Sequence, residues 1–302
     1  MAISRAQLVK ELEPGLNALF GLEYNRYDNE AAAIFMTESS DRAFEEEVML
    51  SGFAGAATKS EGAMVTYDNA TEVYTSRYTN ETIALAFAIT EEAIEDNLYD
   101  RLAGRYTRAL ARSMQTTKQV KAANVLNNAF NSSFPGGDGK ELCATDHPTV
   151  GNVDLKNELT TAADLNETSL EQALIDIADF KDERNLKVNA QATKLIIPPA
   201  LQFVADRLME TPGRVSTSDN DINAIRNMGM IPQGYVVNHY LTDTDAFFIK
   251  TDVPNGLKHF VRTPVSTSME GDFETGNVRY KARERYSFGF SDWRGIFGSP
   301  GA

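Results

Sequence analysis

Residues 90–130, TEEAIEDNLYDRLAGRYTRALARSMQTTKQVKAANVLNNAF, contain no proline. They keep Ile94, Leu98, Leu102, Tyr106, Ala109, Leu110, Met114, Val120 and Leu126 at helical spacing. Thr90 suits an N-cap, Glu91, Glu92, Glu95 and Asp96 crowd the first turns, and Lys118 and Lys121 lie toward the other end, as the helix dipole favours. The reading is one helix of about 40 residues and about 60 Å, several times the ordinary globular length. A helix of that length implies a flat, extended molecule.

Working back from this helix, Ile83, Leu85, Phe87 and Ile89 alternate with Thr82, Ala84, Ala86 and Ala88, and residues 73–78 and the pair Val65 and Tyr67 carry the same period of two. With turns at Asp68-Asn69 and Thr79-Asn80, these segments predict a long antiparallel hairpin of about 35 residues with a polar tip. A lone compact chain has little reason to build such a projection. Its entrance, Ser51-Gly52-Phe53-Ala54-Gly55-Ala56-Ala57, is too small-sided for a core helix. At the start of the chain, Ser4 and Gln7 have capping-box spacing and Leu8 and Leu12 share a face, until Pro14-Gly15 interrupts and a second turn carries Leu16, Leu19 and Phe20. An N-terminal arm is expected there.

Beyond the helix, Phe134-Pro135-Gly136-Gly137 breaks the pattern. An amphipathic helix over 168–184 follows, then a buried strand over 194–197 stopped by Pro198-Pro199, a helix over 200–209, and strands at 235–239, 246–250 and 257–262. This mixture is a compact lobe, and the whole chain reads as α+β. The tail over 272–298 returns to strand alternation, and its Phe288, Phe290, Trp293 and Phe297 are expected to pack on the long helix.

Bulk properties narrow the role. The chain has 302 residues and a formal net charge of −14, the wrong sign for coating nucleic acid through phosphate neutralisation. One cysteine, Cys143, excludes an internal disulfide framework and fits a reducing compartment. No apolar run spans a membrane, and residues 1–10 lack a signal-peptide layout, so an intracellular product is expected.

Several stretches resemble the major head proteins of tailed bacteriophages, including Mu-like head subunits. They are Phe53-Ala54-Gly55 with Glu61-Gly62-Ala63, Ile89-Thr90-Glu91-Glu92 with Asp96-Asn97, AANVLNNAF at 122–130, LCATDHP at 142–148, and YKARERY at 280–286. The resemblance implies the Hong Kong 97 capsid fold, divided into an N-arm (1–47), an E-loop hairpin (48–89), a P-domain spine helix (90–134), an A-domain (135–256), and P-domain strands with the C-terminus (257–302). It implies hexamers and pentamers of an icosahedral head around double-stranded DNA, built in the host cytoplasm. A portal protein, packaged DNA bound without sequence specificity and, in some heads, a cement protein are the implied partners, and neither membrane nor cofactor is. The founding member carries a long scaffold-like extension before its arm. This chain lacks one, so a separate scaffolding protein and an uncleaved N-terminus are expected.

Two cationic rows stand out. Arg101, Arg105, Arg108 and Arg112 fall at i, i+4, i+7 and i+11 of the long helix, with no acid four residues before any of them. Arg279, Lys281, Arg283 and Arg285 take alternate positions of a strand, opposite Tyr280, Ala282, Glu284 and Tyr286. Carboxylates of a neighbouring subunit, DNA phosphate, or solvent over fluctuating intrachain pairs could each meet this charge. Inter-subunit contact is the expectation for these rows and for Phe53, Lys59, Glu61, Tyr67 and Arg77. The founding member cross-links an E-loop lysine to an asparagine of another subunit, but without a partner Asn and Glu in view Lys59 reads as a solvated lysine.

Catalytic and metal chemistry find little support. Cys143 and Asp146-His147 lack the further ligands zinc needs, and Asp219-Asn220-Asp221 lacks the glycine and glutamate of a calcium loop. Gly136, Gly137 and Gly139 precede Lys140 without the strand or hydroxyl of a phosphate loop. A shell subunit, a DNA-associated accessory virion protein and a hydrolase with a dispersed site are the competing classes. The accessory protein should be basic and the hydrolase should show convergent titratable groups, so the shell subunit fits best.

Overall fold

The computed structural model describes residues 5–90, 92, 99–213, 221–272 and 274–302, with the side chains of 5–12 and 99–102 outside that description. Two four-stranded sheets and one two-stranded ribbon organise it. The first sheet joins β1 (Met36–Ser39), β8 (Leu257–Gly271), β9 (Val278–Phe290) and β4 (Glu81–Ile89) in that order, with β1 parallel to β8 and the other pairs antiparallel. Helices α1 (Arg5–Tyr24) and α3 (Tyr99–Asn127) lie on one face of it. Leu16 and Phe20 of α1 and Ala103, Leu110, Ala111 and Met114 of α3 close on Tyr280 and Ala282 of β9. A long slab results, helices on one side and bare sheet on the other.

The second sheet, β10 (Ile296–Ser299), β7 (Phe247–Thr251), β5 (Ala192–Ile197) and β6 (Tyr235–Val237), is the heart of the compact lobe. Around it pack α4 (Glu167–Ala178), α5 (Gln202–Glu210) and the short α6 (Ala224–Met228). Asn166 and Ser169 cap α4 reciprocally, each side chain bonded to the other's backbone at 2.9 and 3.0 Å. Leu170, Leu174, Ile177 and Phe180 are buried in the register the sequence predicts. A third apolar cluster, with Ile34 of α2 (Glu30–Ile34), Leu126 of α3, Leu142, Phe248 and Ile296, joins lobe to slab.

The structure corrects the expected hairpin. Its arms are β2 (Phe44–Leu50) and β3 (Glu72–Thr79), residues 51–71 form no strand, and β4 pairs with β9 rather than folding back on β3. Gly52 and Gly62, at φ of 68° and 78°, set the backbone of 51–71 off the extended path. Three successive glutamates disguise β2, yet each is met. Glu45 caps the turn through Ser40 at 2.8 Å, Glu46 lies 3.6 Å from Arg77, and Glu47 bonds the buried Lys258 and Ser291.

Three further expectations change. α1 runs through Pro14 as one helix, the bond lost at proline being offset by the burial of Leu16 and Phe20 beyond it. α3 ends at Asn127 and not at 130, where Ala129 N bonds Leu126 O and turns the chain toward the lobe. Its 29 described residues span about 44 Å, and the expected acidic first turns over 91–98 lie almost wholly outside the described residues. Finally, β10 joins the lobe sheet, taking Trp293 and Phe297 into the lobe core rather than onto α3, while Phe288 and Phe290 do pack on the cluster containing Leu126.

Candidate interaction surfaces

Three surfaces collect the residues singled out in the sequence. The first is the loop over 51–71. Its base is pinned where Asp68 accepts the Ala54 N–H at 2.8 Å, and Arg184 of the lobe donates to Asn69 O at 2.8 Å. Hydrogen bonds from the Ala54 and Asn69 amides hold the Asp68 carboxyl below its usual range. Beyond that base Phe53, Met64, Val65 and Tyr67 stand 60, 88, 64 and 90% exposed. Four large apolar side chains thus stand bare in one loop. Lys59 and Glu61 are exposed beside them, whereas Arg77 finds partners in its own hairpin, its guanidinium 3.8 Å over the Phe44 ring. The sequence reading did not single out Met64, and it took Val65 as a strand residue and not as a contact. Their signal was an apolar pair beside the Gly62 turn.

The second surface is the outer side of α3. Arg105, Arg108 and Arg112 are exposed and form no ion pair among the described residues, while Arg101 lies in the helix with its side chain outside them. Because Ala103, Leu110, Ala111 and Met114 face the sheet, this row points away from the slab.

The third surface is the bare face of the first sheet. Burial along β9 alternates as predicted, with Val278, Tyr280, Ala282, Glu284 and Tyr286 buried, Arg279, Lys281 and Arg283 exposed, and Arg285 partly so. Directly opposed residues of antiparallel strands share a face. Ala88, Ala86, Ala84 and Thr82 of β4 therefore flank Arg279, Lys281, Arg283 and Arg285 on one side. Glu270, Ser268, Ser266 and Thr263 of β8 flank them on the other, across a bulge between Thr263 and Ser266. The cations stand about 7 Å apart in single file between low walls. The rows of α3 and β9 lie on opposite sides of the slab, so they cannot serve one ligand.

The residues that could have carried chemistry are held as structure. His147 is buried, with Nδ1 2.6 Å from Asp138, Nε2 3.1 Å from Asn157 Oδ1, and its ring stacked 4.2 Å from Trp293. The Asn157 amide donates to the carbonyls of Leu142, Trp293 and Ile296 at 2.7 to 3.1 Å, which stitches the lobe to its C-terminal strand. Burial pushes the Cys143 thiol well up, away from the thiolate that a nucleophile or metal ligand needs. Among the described residues no cluster of three His, Cys, Asp or Glu side chains could hold a metal ion, and no helix is long and apolar enough to cross a membrane.

A family model for phage capsid protein matches residues 72–298. No curated protein matches the sequence. Among solved structures, the virus-like particle from Pyrococcus furiosus is similar at a TM-score of 0.56 and 11% identity, over 95% of this chain and 98% of that one. The procapsid of bacteriophage JBD30 is similar at 0.55 and 15%, over 98% and 76%. The capsid of an empty GTA particle is similar at 0.54 and 14%, over 90% of each. At such identities the likeness establishes the fold, which is that of Hong Kong 97-type capsid subunits.

Proposed function

The chain belongs to the phage capsid protein family and is a structural subunit of the virion shell, and on that premise we propose that it is the major capsid protein of a tailed bacteriophage whose copies close into hexamers and pentamers of an icosahedral head around double-stranded DNA. The observation that carries this reading is the loop over 51–71, which leaves Phe53, Met64, Val65 and Tyr67 without cover from their own chain. A patch of that kind on a slab-shaped subunit is covered by a neighbour. The parts take the roles of N-arm (1–47), E-loop (48–89, with β2 lengthening its inner arm), spine helix (90–134), A-domain (135–256) and closing P-domain strands (257–302, with β10 lent to the A-domain sheet). Phe53, Lys59, Glu61, Tyr67 and Arg77 of the hairpin, the α3 arginines and the β9 row are the inter-subunit contacts. Catalysis has no part in this role. Assembly in the host cytoplasm with a separate scaffolding protein, a portal and packaged DNA completes the reading, with a cement protein as an optional addition.

The test is particle formation by the purified full-length chain, alone and with its scaffold, followed by negative-stain microscopy. Closed shells or free hexamers and pentamers are expected. Replacing residues 53–69 by a short flexible linker should leave a folded subunit that forms neither. A persistent monomer of the intact chain, or shells from the shortened one, would overturn the reading.

A further inference from the structure

We propose that the bare face of the first sheet is a docking site for carboxylate side chains of a second copy of this chain, seated on Lys281, Arg283 and Arg285. The inference rests on the shell reading and deepens it by naming the partner chemistry of one contact. Arg279 is already met by Asp272 at 2.5 Å. Lys281 and Arg283 form no ion pair among the described residues. Arg285 adds an independent observation, since its Nε is buried and finds no acceptor among the described residues. A desolvated charged donor with nothing to bond is unfavourable, so a shift of this partly buried side chain outward to an incoming acceptor is favoured. The unmet charge therefore lies at the Lys281–Arg285 end of the row.

The shape of the face suits such a guest. Ala84 and Ala86 on one side and Ser266 and Ser268 on the other keep the floor low. The depression of about 370 Å³ on this face lies toward its other end, between Ala86, Ser268, Lys281 and Arg279, where Glu270 and Asp272 also line it. Those two acids turn a carboxylate away from the Arg279 end, which gives the site a direction. Cations about 7 Å apart match alternate side chains of an extended segment.

Charge complementarity selects the occupant. Each subunit carries −14, so neighbours in a shell repel unless acidic surface on one meets concentrated positive charge on the next. The carboxylates must then come from a different part of the chain than this cationic row, the arrangement of a head-to-tail contact. Duplex DNA is the poorer fit. It would meet three uncompensated cations on an acidic protein, and the arginines of α3, on the other side of the slab, could not add to them.

Full-length chain grown separately in ordinary and 15N medium is mixed, assembled and treated with a carbodiimide, which joins an amine directly to a touching carboxylate. Mass spectrometry should find Lys281 linked to an Asp or Glu of the other isotope in particles and not in unassembled subunits. The K281E/R283E variant should keep its melting temperature and lose at least tenfold in assembled fraction. Particles in which other lysines cross-link between copies while Lys281 does not would overturn the proposal, as would wild-type assembly by the variant. If the variant assembles normally but binds mixed-sequence duplex DNA more weakly, with its salt dependence reduced by about two charges, the occupant is nucleic acid and the proposal fails. Absence of particles from the unsubstituted chain would instead overturn the shell reading, and this proposal with it.

Discussion

Lys118, on the inward side of α3, lies 3.4 Å from the Glu284 carboxylate of β9, an ion pair closed between helix and sheet. The Tyr24 hydroxyl of α1 donates to the same oxygen at 3.1 Å, so three elements of the slab meet at one side chain. Burial pushes the Glu284 carboxyl up, and Lys118 opposes that shift. Removing the cation leaves a buried carboxylate with one oxygen already lacking a partner among the described residues. K118M should therefore lose about 3 kcal/mol of stability in urea unfolding. A loss below about 1 kcal/mol would mean that Glu284 is neutral in the wild type.

Glu158 supplies a pH dependence of defined sign. Burial, and then the neighbouring Glu141, raise its carboxyl from 4.5 to about 7. The folded state then holds a proton the unfolded state has released, so stability falls as pH rises. The group's contribution is fully present below about 4.5 and gone once pH passes through about 7. Because the side chain is only partly buried, solvent screening reduces the effect to roughly 1 kcal/mol. Urea midpoints from pH 4 to pH 8 should decline more steeply for the wild type than for E158Q. Parallel curves would remove Glu158 as the source.

Gly295 and Gly256 press backbone against backbone where the turn before β10 meets the turn before β8. A Cβ built on Gly295 would stand 2.4 Å from the Gly256 Cα. No side-chain motion relieves a contact with backbone, so G295A should cost about 3 kcal/mol. Thermal unfolding of the unassembled subunit measures it, and G271A, whose Cβ would meet nothing within 4 Å, is the control.

The sequence was legible where one physical signal dominated. The period of two along β9 put Tyr280, Ala282, Glu284 and Tyr286 on one face and the cations on the other, and the structure keeps the two sets apart, the first buried and the second at the surface. The body of α3 and the buried register of α4 were equally plain. What failed depended on partners distant in sequence. β2 was masked because Glu45 and Glu47 owe their tolerance to Ser40, Lys258 and Ser291. β4 alternates as any hairpin arm would, and nothing local says that its partner lies about 200 residues onward. The aromatic tail gave the correct strand but not the sheet it enters, since either core would bury Trp293 and Phe297.

The loop over 51–71 separates stability from assembly most cleanly. Substituting Phe53, Met64, Val65 and Tyr67 together by serine removes large apolar surface that the subunit already leaves in water. Each change at so exposed a position should therefore alter the subunit's stability by no more than about 0.5 kcal/mol. If a neighbour buries those side chains, the same variant forfeits apolar contact at every repeat of the shell, and the assembled fraction by sedimentation should fall at least tenfold. A melting temperature lowered by many degrees would instead mean that the loop packs on its own chain in solution. Unchanged melting with unchanged assembly would remove the loop from the interface and leave the cationic faces to hold the shell.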